Sequence, residues 1–423
     1  MTNDLASAPL DAADKLAHLR ELFVRDESVT AYLDGNSLGR PLVASIDRVS
    51  DFMTRQWGGR LIRGWTRSSN DDRASDRATP APSEPASEGW LDLAQQIGDD
   101  LGRVALGAAA GQTTIGDSTT VLLYKLVRAA VDARPGRTEL VIDRDNFPTD
   151  RYVLEGIAAE RGLTLRWIET GDPTAESLAA VLSSQTALVV LSAVSYRSGF
   201  LADVPALTAL AHEAGALILW DLCHSAGVVP TELDDWGVDL AVGCTYKYLN
   251  GGPGSPAFAY VASRNQRMRQ PIQGWLGSAR PFEMGQGYEP AAGIRGFTSG
   301  TPPIIGMLAM RDMIALIDSG GAGSRGIDAV RAKSVALTEY AVALVDALLP
   351  GATLASPRDP DRRGSHITVD HDGFEAIMPE LWRRGIIPDF RRPNGIRLGL
   401  SPLSTSFAEV RVGIEAIAEL LEH

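Results

Sequence analysis

The chain reads as an α/β protein, with a doubly wound, mostly parallel sheet in a large domain and a smaller α+β domain after it. Two observations predict the large domain. Apolar runs at 139–143, 165–168, 187–192 and 216–220 have the length and the Val/Ile/Leu content of strands buried on both faces. Stretches with helical spacing, among them 150–161 and 204–214, separate those runs, and right-handed crossovers between parallel strands require this alternation. A third observation predicts the small domain. Beyond residue 303 two helical stretches, 303–319 and 329–349, lead into short strand-like pieces at 366–369 and 396–400. At 423 residues the chain exceeds one ordinary domain. It divides into an N-terminal segment (1–45) packing with the small domain, a large domain (46–302) and a C-terminal small domain (303–423).

Helical spacing also covers 9–24, where Leu10, Leu16, Leu19, Leu22 and Phe23 can share a face, and 43–57. Residues 67–88 break the pattern, being rich in Ser, Asp, Ala and Pro with no large apolar side chain. Such a segment cannot bury enough surface to offset its ordering entropy, so it reads as a mobile surface insertion.

With 44% hydrophobic and 22% charged residues, the composition is that of an ordinary globular protein. The net charge of −13 argues against nucleic acid or an anionic membrane as partner, since both need basic patches. Residues 1–20 carry five acidic or basic side chains and no continuous apolar core, unlike a secretory leader. No apolar run has the length of a bilayer span. The two cysteines, Cys223 and Cys244, fit a reduced cytoplasmic setting better than a disulfide scaffold. Six scattered histidines, without CxxC or HExxH, give no metal expectation. GxxxxGK[ST] and a strand-linked GxGxxG are both missing.

The chemistry is carried by Asp221 and Lys247. Asp221 ends the apolar run 216–220, and Lys247 stands twenty-six positions on in Tyr246-Lys247-Tyr248-Leu249-Asn250-Gly251-Gly252-Pro253-Gly254. A pyridoxal phosphate (PLP) enzyme needs a lysine that holds the cofactor covalently and an aspartate that keeps the pyridine nitrogen protonated. Taken singly, each residue is more often a surface lysine or a capping aspartate. Ser118-Thr119-Thr120 precedes a helical stretch from Val121, and hydroxyls with free N–H groups at a helix start suit a phosphate or serve as an ordinary N-cap. In open α/β sheets ligands bind beyond the carboxyl ends of the strands, where Asp145 to Asp150, Ser192 and Asp221 fall.

The flanking runs resemble the kynureninases, PLP enzymes of fold type I in the class V aminotransferase group. The resemblance spans nearly the whole chain. It runs from Tyr32-Leu33-Asp34-Gly35-Asn36-Ser37-Leu38-Gly39 through Asp117-Ser118-Thr119-Thr120-Val121 and Asp145-Asn146-Phe147-Pro148-Thr149-Asp150 to the lysine region. Gly274-Trp275-Leu276-Gly277, Ser299-Gly300-Thr301-Pro302-Pro303-Ile304 and Ile396-Arg397-Leu398-Gly399-Leu400-Ser401-Pro402-Leu403 follow. The resemblance implies an aspartate-aminotransferase-like large domain and hydrolysis of the Cβ–Cγ bond of L-kynurenine to anthranilate and L-alanine. It implies that Lys247 holds PLP and then moves the substrate α-proton, with Tyr246 as phosphate ligand and proton donor. Phe147 would stack on the ring, Asp150 would bond near the ring hydroxyl, and Thr119, Thr120, Ser192 and His224 would complete the cofactor contacts. Trp275 and Thr301 would reach the phosphate from the second subunit of a homodimer. Arg397 would clamp the substrate α-carboxylate through a bidentate pair, with Asn36 and Ser278 on the substrate side.

The chain departs from the family pattern in three places. Gly-Trp-x-Gly-His appears as Gly274-Trp275-Leu276-Gly277-Ser278, and Pro-Leu-Tyr-Thr-Arg as Pro402-Leu403-Ser404-Thr405-Ser406; the 67–88 insertion is the third. The changes lie on the substrate side. They leave open a kynureninase, a related PLP enzyme acting on another β-substituted or γ-keto amino acid by C–C hydrolysis, elimination or sulfur transfer, and a non-enzymatic binding protein. Lys247 argues against the last, and a sulfur-transfer enzyme would need a cysteine on a mobile loop.

Overall fold

The computed structural model describes residues 5–65, 89–320 and 325–422, and the insertion expected at 67–88 lies outside them. The helix expected over 9–24 is broken into a helix Ser7–Ala13 and a 3-10 segment Ala17–Leu22. Asp14 causes the break. Its backbone is extended, and its carboxylate accepts the N–H of Leu16 at 3.0 Å, an alternative to the helical ladder. A short strand β1 (Ala31–Tyr32) follows, then a helix Val43–Asp51 that continues into π-helical turns Phe52–Trp57.

The main sheet has seven strands: β2 (Thr113–Gly116), β3 (Glu139–Asp143), β4 (Thr164–Ile168), β5 (Thr186–Ser192), β6 (Leu217–Asp221), β7 (Leu240–Gly243) and β8 (Ala257–Val261). Their order is β2-β8-β7-β6-β5-β3-β4. Only β8 is reversed, lying antiparallel to both β7 and β2. The apolar runs are continuous because both faces are covered. Val141, Val189, Leu191, Ile218 and Trp220 enter one core cluster, while Leu140, Ile142, Leu188, Val190 and Leu219 enter another. Each such side chain contributes about 1.5–3 kcal/mol by leaving water.

A second sheet joins β9 (Thr353–Leu354), β10 (His366–Asp370), β12 (Asp389–Arg391) and β13 (Gly395–Gly399) in the order β12-β13-β10-β9, all antiparallel. The strand β11 (Ile386–Ile387) pairs in parallel with β1. A third cluster packs this sheet against the helices Gly326–Leu348 and Phe407–Leu421. The N-terminal 45 residues divide between cores. Ala31 and Leu33 belong to the third cluster, whereas Leu16, Leu19, Phe23 and Leu42 belong to the first. Met307 to Ile317, beyond the expected boundary at 302, also pack in the first.

Because only β8 is reversed, β2, β3, β5, β6 and β7 present their carboxyl ends on one edge of the sheet. Gly116, Asp143, Ser192, Asp221 and Gly243 stand there. Among the described residues no helix is long and apolar enough to cross a membrane.

Candidate active site

A cavity of ≈ 430 Å³ opens at that edge, within the size range of small-molecule sites. Its walls come from separate segments. Thr119 and Thr120 begin the helix Thr119–Asp132, whose N-cap Ser118 accepts the N–H of Val121 at 3.4 Å. Phe147 and Asp150 come from the start of the helix Pro148–Arg161, Asp221 from the end of β6, Tyr246 from the segment after β7, and Thr301 from the loop before the helix Ile304–Ser319. The structure thus gathers Thr119, Thr120, Phe147, Asp150, Asp221, Tyr246 and Thr301. Thr301, expected from a second subunit, lines the cavity of its own chain.

Asp150 and Asp221 meet in this cavity. Asp221 Oδ1 accepts the N–H of Cys223 at 2.7 Å, while Asp150 is buried with its Oδ2 lacking any donor. Burial first, and then the Asp221 carboxylate, push the Asp150 carboxyl well above its usual range. Asp150 is therefore held protonated beside the Asp221 carboxylate.

Ser192 is not at the cavity wall. Its hydroxyl donates to Asn146 Oδ1 at 3.0 Å, and the same oxygen accepts the N–H of Phe147 at 2.7 Å. The Asn146 amide donates to Asp143 Oδ2 at 2.8 Å. Ser192 therefore acts through Asn146 on the turn that aims Phe147. The sequence reading missed Asn146, although an Asn at a strand-to-helix turn is the available signal.

Lys247 is buried, with Nζ 3.2 Å from His224 Nε2 and 5.8 Å from the Phe147 ring centroid. Burial, followed by the charges of Lys247 and Arg397, holds His224 well below its usual range, so the imidazole is neutral beside the amine. The two free cysteines, Cys223 and Cys244, are both buried directly after β6 and β7, and the N–H of Cys244 lies 3.2 Å from Cys223 Sγ.

Arg397, on β13, is 1% exposed and already engaged. It donates to Tyr196 O at 2.7 Å and to Ser37 Oγ at 2.6 Å, and pairs with Asp389 at 2.7 Å. With its amide turned to satisfy its neighbours, Asn36 accepts from Arg397 Nε at 3.0 Å and donates to Asp34 at 3.2 Å. The expected bidentate clamp is thus occupied by protein groups. The Tyr196 ring meets Phe147 edge-on at 5.3 Å, which connects this cluster to the cavity.

Trp275 and Ser278 stand outside their own chain's cavity. The Trp275 ring contacts Trp65 and Phe282 at 5.9 Å each, and Ser278 Oγ accepts the N–H of Arg280 at 3.3 Å. Ser406, where the family pattern has a cation, caps the last helix in a reciprocal box with Glu409.

With this geometry in hand, the comparisons decide the family. The kynureninase of Pseudomonas fluorescens is 39% identical over 425 residues, covering 98% of this chain and 94% of that protein. A kynureninase of Burkholderia pseudomallei is 40% identical with the same coverage. The chain belongs to the kynureninase family. A model of the kynureninase C-terminal domain matches residues 330–417, and one of the Cys/Met metabolism PLP-dependent enzymes matches 95–279. Among solved structures, a cysteine desulfurase from Thermococcus onnurineus NA1 superposes with a TM-score of 0.77 at 16% identity, covering 96% of this chain and 98% of that one. A complex of the cystine C-S lyase C-DES gives 0.75 at 17%, covering 93% and 98%. These likenesses fix the aminotransferase-like fold alone. As a member of the kynureninase family the chain is a PLP-dependent enzyme, and the cavity fits that group. Hydroxyls at a helix start suit the phosphate, Phe147 offers a ring face, and the orphaned Asp150 Oδ2 with Asp221 suits a protonated ring nitrogen.

Proposed function

We propose that the chain is a PLP-dependent hydrolase cleaving the Cβ–Cγ bond of L-kynurenine or a close analogue to L-alanine and an anthranilate-type acid. One observation carries this reading: a chain 98% covered by kynureninases at about 40% identity has Asp221 and Tyr246 lining one cavity at the carboxyl edge of its sheet, with Lys247 Nζ 5.8 Å from the centroid of the Phe147 ring that lines the same cavity. PLP, when bound, supplies an electron sink conjugated to the substrate α-carbon.

The residues divide the remaining work. Lys247 holds the cofactor and, once released, carries the α-proton, with the neutral His224 ring 3.2 Å from its nitrogen. Asp221 keeps a positive charge on the ring nitrogen, and the protonated Asp150 adds no second negative charge there. Phe147, aimed by Asn146 and Ser192, restricts the ring to one plane. Tyr246 is held in its protonated form by burial, so it can donate a proton. Arg397 receives the α-carboxylate by exchanging a protein partner for it. Among the competing readings, sulfur transfer is disfavoured because Cys223 and Cys244 are buried beside strand ends.

The proposed working unit is a homodimer, supported by the place of Trp275 and Ser278 outside their own cavity and by the exposed Phe282 and Met284 beside them. A cytoplasmic setting is proposed from the two unpaired cysteines. Incubating the purified protein with kynurenine and with 3-hydroxykynurenine, and following L-alanine release, tests the reading. Release from either supports it, and no release from either overturns it.

A further inference from the structure

Lys125 sits in the second turn of the helix Thr119–Asp132 with its side chain 1% exposed. Its ammonium donates to Asp117 Oδ2 at 2.9 Å and to Ser299 Oγ at 2.7 Å. Ser299 Oγ in turn donates to Asp117 Oδ2 at 3.1 Å, closing a triangle. Lys125 is the one lysine, arginine or histidine among the described residues lining the cavity, against the carboxyl groups of Asp117, Asp150 and Asp221.

The three members belong to the segments that build one end of the cavity. Asp117 follows β2 directly and precedes Ser118, Thr119 and Thr120. Its φ of 49° is a left-handed conformation that a non-glycine residue keeps only where its surroundings hold it. Ser299 stands two residues before Thr301, and its carbonyl accepts the N–H of Leu276 at 3.1 Å, so the turn carrying Trp275 hangs on it as well. Lys125 therefore ties the hydroxyls of Thr119 and Thr120 to the loop bearing Thr301. A dianionic phosphate entering a water-poor cavity with carboxyl groups needs a compensating positive charge. The helix start supplies only a partial one.

Resting on the PLP reading above, we infer that Lys125 is the positioning residue of the phosphate end: its ammonium locks the two phosphate-facing loops through Asp117 and Ser299 and balances the phosphate charge. The residues proposed to face the ring, Phe147, Asp150 and Asp221, do not bond this lysine. Loss of Lys125 should therefore weaken the hold on phosphate and leave the hold on the ring unchanged.

Apoprotein titrated with PLP and with pyridoxal, which lacks the phosphate, separates these effects. Binding is read from absorbance of the adduct at Lys247 and from tryptophan fluorescence. Lys125→Met should weaken PLP binding about ten- to a hundredfold, as for a lost charged hydrogen bond, with pyridoxal binding unchanged. Ser299→Ala, which breaks the tie without touching the charge, should weaken PLP about two- to tenfold, again with pyridoxal unchanged. Ser299→Ala also serves where Lys125→Met does not fold. Equal losses for both ligands, or PLP binding at the wild-type level, overturn the inference. A wild-type protein that forms no adduct with either ligand overturns the PLP reading and this inference with it.

Discussion

The buried carboxyl of Asp150 lies against that of Asp221 at the cofactor cavity, and Asp150 carries the proton between them. Burial and the neighbouring carboxylate both raise its proton affinity in the folded protein. A folded pKa above the ordinary 3.8 means that this group's contribution to stability is full below that value and is lost as pH rises. The apoprotein should therefore lose Tm relative to an Asp150→Asn variant as pH is raised from about 4 to about 8. Calorimetry of the two apoproteins measures this difference, and a gap that stays constant with pH would show that Asp150 is ionised.

Asp221→Asn tests the other half of the pair. An amide cannot stabilise a protonated ring nitrogen, so kcat should fall about 10²- to 10⁴-fold, the range contributed by a positioned acid–base group. PLP should remain bound, since the phosphate contacts are untouched. Steady-state kinetics with a cofactor absorbance spectrum reads both, and unchanged turnover would remove Asp221 from the ring nitrogen.

Much of this was legible in sequence because it is local or periodic. Strands buried on both faces write themselves as continuous apolar runs, and Asp221 and Lys247 are found by their strand end and glycine-rich turn. What was not legible depends on residues distant in the chain. Ser192 meets Asn146 across 46 positions, and Lys125 meets Ser299 across 174. The helical pattern over 9–24 gave no sign that the Asp14 side chain would capture a backbone N–H. Ser406 looked like a lost cation, whereas it caps a helix. The pairing of Arg397 with Asp389 follows from sheet register, and its contacts with Ser37 and Tyr196 come from loops 360 and 201 positions away, neither of which pattern alone specifies.

Lys247→Ala should abolish any borohydride-reducible cofactor adduct, and it also supplies half of a dimer test. Trp275 stands outside the cavity of its own chain, and in the proposed dimer a Trp275→Ala protein should be defective through its neighbour's site. Mixing Lys247→Ala with Trp275→Ala gives hybrid dimers in which one site keeps Lys247 and receives an intact Trp275. Activity should return toward half of the wild-type value per hybrid dimer, measured after subunit exchange. Mixed dimers as inactive as the parents would place Trp275 in a role within its own subunit.

With Arg397 as the proposed carboxylate clamp, Asp34 should give substrate binding a pH dependence. Burial and the Asp389 carboxylate raise its pKa to about 6, with Ser37 and Arg397 opposing. Its stabilising contribution is thus present below the ordinary 3.8 and lost as pH rises through about 6. Above that point a second negative charge stands 3.7 Å from Arg397 and would oppose a substrate α-carboxylate bound there. KM should therefore rise as pH passes 6 while kcat is little changed, and Asp34→Asn should flatten the profile. A profile in KM identical for both proteins would sever Asp34 from substrate binding.

Ser278 takes the place of the histidine in the family pattern and lies on the same turn as Trp275, so in the proposed dimer both face the neighbouring site together. Serine is shorter than histidine and cannot carry a charge, and its Oγ here already accepts the Arg280 N–H at 3.3 Å. In that arrangement the substrate's distal group would lose a hydrogen-bonding partner and gain space. A change of that kind is worth roughly 1–3 kcal/mol, or about ten- to two-hundredfold in discrimination. The wild-type protein should turn over kynurenine weakly and prefer an analogue with a bulkier or differently substituted γ-acyl group. Ser278→His should move the ratio of kcat/KM values toward kynurenine by that factor. Wild-type kcat/KM for kynurenine at or above about 10⁴ M⁻¹s⁻¹, the ordinary enzyme range, would show that Ser278 leaves the preference unaltered.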